Sequence, residues 1–210
     1  GDDFQINPEQ IESRYFGILT KIFNVGRFAS QFDFDGDLDK VPDNLENEDQ
    51  WILAEFSDLL EKARVGYSGL DIYTAAQGIK TFSTGVFASH WLEMSKTRLY
   101  NGDTSATWTL HRIFRDLLSI LSPICPFFTH HLSTILYEKS AVDVDAFPEI
   151  PMSETAKWTK MTDSLVDFNS TVWKAKKDAG ISLAAPISGH TVPDELKNIG
   201  PALVSMHKLE

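Results

Sequence analysis

The chain has 210 residues, enough to bury a real core as one or two domains, and its 42% apolar content is that of a globular protein. No stretch nears the roughly 18 uninterrupted apolar residues of a membrane span, and no signal peptide is visible. The lone cysteine, Cys125, excludes an intrachain disulfide framework and agrees with a reducing, cytoplasmic setting, while a net charge of −11 argues at first against a nucleic-acid partner.

Asn7-Pro-Glu-Gln10 reads as a helix start, with Asn7 as cap, Pro8 in the first turn and Gln10 closing a capping box. Apolar residues at Ile11, Tyr15, Ile18, Leu19, Ile22, Phe23 and Phe28 then trace a helical stripe over 8–30. An acidic loop follows: residues 33–49 hold eight acidic side chains against Lys40 alone, so most of the net charge is local and the remainder can carry a basic face. Asp33, Asp35, Asp37 and Asp39 imitate a calcium loop, but from either start the sixth residue is not glycine, and a solvated loop is expected. Asp49 is expected to cap a second helix over 50–65, with Trp51, Leu53, Phe56, Leu59, Leu60 and Ala63 inside.

Ser68-Gly-Leu-Asp71 has capping-box spacing and opens the longest pattern, 69–100, carried by Ala75, Ile79, Phe82, Phe87 and Trp91 and broken at Asn101-Gly102. Further helices are predicted over 105–122 and, after Pro126, over 126–137, with Cys125 a core residue between two prolines. Residues 141–148 read as an extended crossover, and a sixth helix covers 154–178 up to Gly180. Residues 181–192 read as extended before a short helix at Pro193-Asp-Glu-Leu196. A lone strand cannot satisfy its own backbone, so this tail is expected to pair with something downstream. The reading is all-α: a helix bundle over 1–150, a long helix over 151–180, and a small α/β appendage over 181–210. Because the chain starts at Gly1 and ends in Leu209-Glu210, it is expected to be a fragment of a longer protein.

Catalytic constellations are missing. There is no Glu-x-x-His pair for a di-iron bundle, no phosphate loop, no G-x-G-x-x-G and no Gly-x-Ser-x-Gly. His130 and His131 are adjacent, so on a helix they diverge by about 100° and are expected at the surface. What remains is Lys21-Ile-Phe-Asn-Val-Gly-Arg-Phe28, which as one helix carries two cations, an amide and an aromatic within about two turns. Phosphates attract cations, base edges need amide or guanidinium partners, and unstacked bases need flat rings. The plainer alternative is an amphipathic helix with Phe23 and Phe28 in the core and Lys21 and Arg27 solvated.

Several blocks, in order and spacing, resemble the anticodon-binding helical domain of class Ia aminoacyl-tRNA synthetases, most closely the valyl members of archaeal type. Lys21-Ile-Phe-Asn-Val-Gly-Arg-Phe28 is similar to the family's Lys-Leu-Trp-Asn-x-x-Arg-Phe, and Asp49-Gln-Trp-Ile-Leu53 to its Asp-x-Trp-Ile-Leu. Trp91-Leu-Glu-Met-Ser-Lys-Thr-Arg-Leu-Tyr100 resembles the end of its third helix. Leu117 to Thr129, with Pro123 and Pro126, resembles Leu-Leu-x-Leu-Leu-x-Pro-x-x-Pro-Phe-Ile-Thr, and Phe147-Pro148-Glu149 closes the series. The chain departs from the pattern at Phe23, at Phe128 and in the acidic insert at 33–43. Glu93-Met-Ser-Lys-Thr97 imitates the Lys-Met-Ser-Lys-Ser loop of these enzymes, but it sits inside a helical pattern and is read as coincidence.

The resemblance implies a partner, the anticodon stem-loop of a valine tRNA, and a catalytic domain of the same polypeptide, monomeric and cytoplasmic, that uses ATP and Mg. No cofactor is implied for these residues themselves, and the fragment alone is expected not to activate an amino acid. It implies that Phe28 stacks on a splayed base, that Lys21, Arg27, Lys96 and Arg98 meet phosphates or base edges, that Asn24 bonds a base, and that Glu93 or a backbone carbonyl accepts from a cytosine amino group. The alternatives are the isoleucyl counterpart of this domain and a protein-interaction bundle without an RNA role. The latter is distinguished by whether Lys21, Arg27, Lys96 and Arg98 share one face away from residues 33–49.

Overall fold

The computed structural model describes residue 9 and residues 16–138, 147–152 and 155–210; the predicted start at Asn7 and most of the crossover at 141–148 lie outside them. The described helices are α1 (Gly17–Ala29), α2 (Asn47–Ser68), α3 (Ile72–Lys80), a π-helical segment (Thr81–Trp91), α4 (Leu92–Tyr100), α5 (Thr104–Leu121), α6 (Pro126–Tyr137), α7 (Thr155–Thr159), α8 (Thr162–Asp178), a 3-10 turn (Asp194–Ile199) and α9 (Gly200–His207). The all-α expectation holds. The α/β appendage does not: among the described residues the only pairing of extended backbone is one isolated parallel bridge, Ile187 to Leu209, within the chain itself. The helical part of the tail is fastened to the bundle: Leu196, Ile199 and Leu203 are buried and α9 packs on α4.

α5 is central. Its apolar residues from Ala106 to Leu121 meet α2, α3, α4 and α6, and the core closes around Trp51, Trp91, Trp108, Phe56, Phe87 and Phe114. Each such side chain contributes about 1.5–3 kcal/mol when withdrawn from water. α1 lies over α5 at Gly26, where a Cβ would come 2.9 Å from Phe114 Cζ, so the glycine is what lets the two helices approach.

Several start signals moved. Asp71, not Ser68, is the cap of α3, accepting from the Thr74 amide at 3.0 Å, while Ser68 ends α2. Glu46 stands at the cap position of α2, and Asp49 lies inside its first turn, fully buried. Phe23, expected in the core, is 42% exposed, and Cys125 is half-buried rather than internal. The acidic loop is not simply solvated. His111 Nε2 sits 2.6 Å from the Phe32 carbonyl, Trp108 Nε1 donates to the Asp37 carbonyl, and Arg112 bonds the Leu38 carbonyl and Asp39. Side chains of α5 therefore hold this loop largely by its backbone, leaving Asp33, Asp35 and Asp43 exposed. Among the described residues no group of acidic, histidine or cysteine side chains is arranged to hold a metal ion.

Candidate nucleic-acid interface

The long helix predicted over 69–100 is interrupted at its middle by a π-helical stretch. Phe82, Phe87 and Trp91 are spaced by five and four residues, which does not fit a 3.6-residue period but suits a wider turn. In the π segment their rings stack, with centroids 5.8 and 5.4 Å apart, and Phe56 of α2 extends the column at 5.1 Å. Within this segment the Thr84 carbonyl accepts from Ser89 Oγ at 2.8 Å and also from outside the helix. Lys21 of α1 donates to it and, at 2.9 Å, to Ser89 Oγ. Burial of the Lys21 ammonium lowers its pKa. Lys21 therefore clamps α1 to the π segment, with part of its side chain still open to solvent.

Beyond this clamp lies a groove of about 640 Å³. Lys21, Ser89, Glu93 and Lys96 line one side of it, and Trp173, Leu183, Met206 and Lys208, from α8 and the C-terminal segment, line the other. Lys96 and Glu93 are one helical turn apart and paired at 2.6 Å. Three of the residues singled out from sequence thus share one surface. Asn24 and Arg27 are exposed on α1, the helix that carries Lys21, away from its buried residues Ile22, Val25 and Ala29.

Phe28 is half-buried at the end of this face, in an edge-to-face cluster with Phe32 at 4.9 Å and Tyr100 at 6.1 Å. Tyr100, the last residue of α4, is 64% exposed and presents the cluster to solvent. Sequence reasoning quoted Tyr100 within a block without giving it a role. It gave Trp173 and Lys208 no functional role, since nothing local links them to helices some 80 or more residues earlier.

Arg98 does not join this surface. Its side chain is only 18% exposed and points inward, forming a two-pronged pair with Asp49 at 3.0 and 2.7 Å, with Glu48 at 3.0 Å and with Asp103 at 3.0 and 3.2 Å. Burial works against its charge, but the bonds from Asp49 and Asp103 outweigh that and hold its pKa above the ordinary arginine value. Asp49 also accepts from Trp91 Nε1 at 3.1 Å and Ser105 Oγ at 2.9 Å. The Asp49-x-Trp51 and Trp91…Arg98 blocks are therefore scaffold, joining α2, α4 and α5 beneath the groove. Glu93-Met-Ser-Lys-Thr97 lies wholly within α4, as a helical segment should. His130 and His131 are exposed on α6, as expected from their spacing.

An all-helical bundle with lysines and an indole along one groove fits a module that meets a nucleic acid, and comparison with known proteins supplies the class. The family model described as the anticodon-binding domain of tRNA ligase matches residues 49–191, and the chain belongs to that family. It is similar to the valine--tRNA ligase of Nanoarchaeum equitans, 28% identical over 217 residues, which is 100% of this chain and 27% of that protein. It is 31% identical over 220 residues to the valine--tRNA ligase of Pyrobaculum aerophilum, again 100% of this chain and 26% of the relative. The valine--tRNA ligase of Sulfurisphaera tokodaii is 32% identical over 174 residues, 79% of this chain and 21% of the relative. The chain thus spans about a quarter of the length of these relatives.

Proposed function

We propose that this chain reads the anticodon of a valine tRNA as part of a valine--tRNA ligase. In that enzyme a catalytic domain of the same polypeptide would use ATP and Mg to attach valine in the cytoplasm. The observation that supports the reading is the groove that Lys21 of α1 shares with Glu93 and Lys96 of α4, on a helix that also exposes Asn24 and Arg27; Arg98 is not part of it, being paired with Glu48 and Asp49. Similarity along the whole chain to valine--tRNA ligases favours valine over isoleucine. The protein-interaction alternative has the acidic balance in its favour, but the loop that carries that charge is bound by α5 and its residue Asp39 pairs with Arg112 and Arg115. Among the described residues no helix is long and apolar enough to cross a membrane.

Valine anticodons end in adenine then cytosine, isoleucine anticodons in adenine then uracil. Discriminating the two requires an acceptor for the cytosine amino group, the role assigned to Glu93. Fluorescence anisotropy with labelled anticodon stem-loops differing only in that last base tests it. The expected result is roughly tenfold tighter binding of the cytosine loop, a preference that Glu93→Gln reduces. Arg27→Ala is expected to weaken both and to lower the salt dependence by about one phosphate contact. Equal affinity for the two loops would remove the valine assignment.

A further inference from the structure

Opposite α1 and α4, the groove is walled by residues whose chemistry goes beyond screening a phosphate. Trp173 of α8 lines it half-buried, its indole stacked on the His90 ring at 5.4 Å and held edge-on by His207 at 5.7 Å. Both imidazoles are fixed in turn by Asn169, whose Nδ2 lies 2.9 Å from His90 Nδ1 and whose Oδ1 lies 2.8 Å from His207 Nε2. The indole is thus set in place before any ligand arrives, which lowers the ordering cost of stacking on it. Leu183 and Met206 give an apolar margin, and three lysines, Lys21, Lys96 and Lys208, face the one carboxylate among the lining residues, Glu93. In a chain of net charge −11, this is a local concentration of positive charge around an aromatic surface. The volume of about 640 Å³ lies within the roughly 300–1,000 Å³ of small-ligand sites.

We propose that this groove receives one unstacked nucleotide of the anticodon loop, its base against Trp173 and its flanking phosphate between Lys208 and Lys96. Residues 181–210 then form part of the RNA-binding surface and are more than a tail closing the bundle. The proposal rests on the anticodon-reading assignment above. A ring and cations suit a nucleotide held by stacking and charge, while discrimination is left to Glu93 across the groove.

The test uses the 210-residue chain, the valine stem-loop and the variants Trp173→Ala, Trp173→Phe and Lys208→Ala, with thermal melts alongside. Trp173→Ala should weaken binding by about tenfold or more, and Trp173→Phe should restore most of the loss. Lys208→Ala, at an exposed position, should melt like the parent and lower the slope of log affinity against log salt by about 0.7. A loop carrying iodouridine should crosslink to Trp173 on irradiation; if Trp173→Ala unfolds, this crosslink and Lys208→Ala decide the matter. Binding that is weakened by Arg27→Ala but unchanged in Lys208→Ala, with no crosslink at Trp173, would overturn the groove proposal and leave the anticodon reading intact. Absence of binding by the parent chain to either stem-loop would overturn both.

Discussion

Asp49 has no exposed surface, yet its carboxylate receives bonds from the Arg98 guanidinium, the Trp91 indole and the Ser105 hydroxyl. A buried ion pair adds little net stability over an apolar replacement of both partners, but removing one partner strands the other in a medium of low dielectric. Asp49→Ala is therefore expected to cost about 3–5 kcal/mol, read as a drop in the urea midpoint with the slope unchanged. Arg98→Met should be damaging for the same reason, and any loss of RNA affinity it causes should track the loss of fold. Parent-like stability in Asp49→Ala would show that the network is not holding these helices together. Arg98 and Lys96, which the resemblance had grouped, are two residues apart on one helix and therefore face different ways.

α1 and the π segment explain why the groove has its shape. Phe82, Phe87 and Trp91 reach one column because the helix widens, and Lys21 holds the Thr84 carbonyl of the same segment. α1 can then lie close over α5 because Gly26 offers no side chain to Phe114. Gly26→Ala would gain up to about 1 kcal/mol of helix propensity but drive a methyl against a ring fixed in the core, at a cost of about 1–3 kcal/mol. A net destabilisation of about 1 kcal/mol is expected by thermal melting, with weaker RNA binding as α1 shifts against α4. A stabilised Gly26→Ala would mean that the Phe114 ring moves aside freely.

Across the molecule, the C-terminal segment is fastened to the bundle by groups that must stay uncharged or well paired. Lys176 is fully buried and donates to the carbonyls of Leu183 and His207, at 2.8 and 2.7 Å. Burial first, then Lys176, His190 and His90, push the His207 pKa down to about 4, and burial with Lys21 lowers that of His90. A histidine depressed in the folded state binds more protons when unfolded, so its contribution is intact above about pH 6.5 and is lost as pH falls toward 4. For His207 this amounts to roughly 3 kcal/mol, and urea midpoints between pH 7 and 4 should fall more steeply for the parent than for His207→Leu. Parallel curves would exclude His207 as the source. The sequence determined the helical class, the order of the helices and the family, because apolar period, proline and glycine stops and the Asp49, Trp91 and Leu117 blocks are local signals. It also singled out Lys21, Asn24, Arg27, Glu93 and Lys96. It could not tell that Phe23 faces solvent, that Asp49 is an ion-pair partner and not a cap, or that residues 181–210 fold back without a sheet. Those outcomes, like the meeting of Trp173 and Lys208 with α4, depend on which faces helices distant in sequence bury against one another, and only tertiary packing decides that.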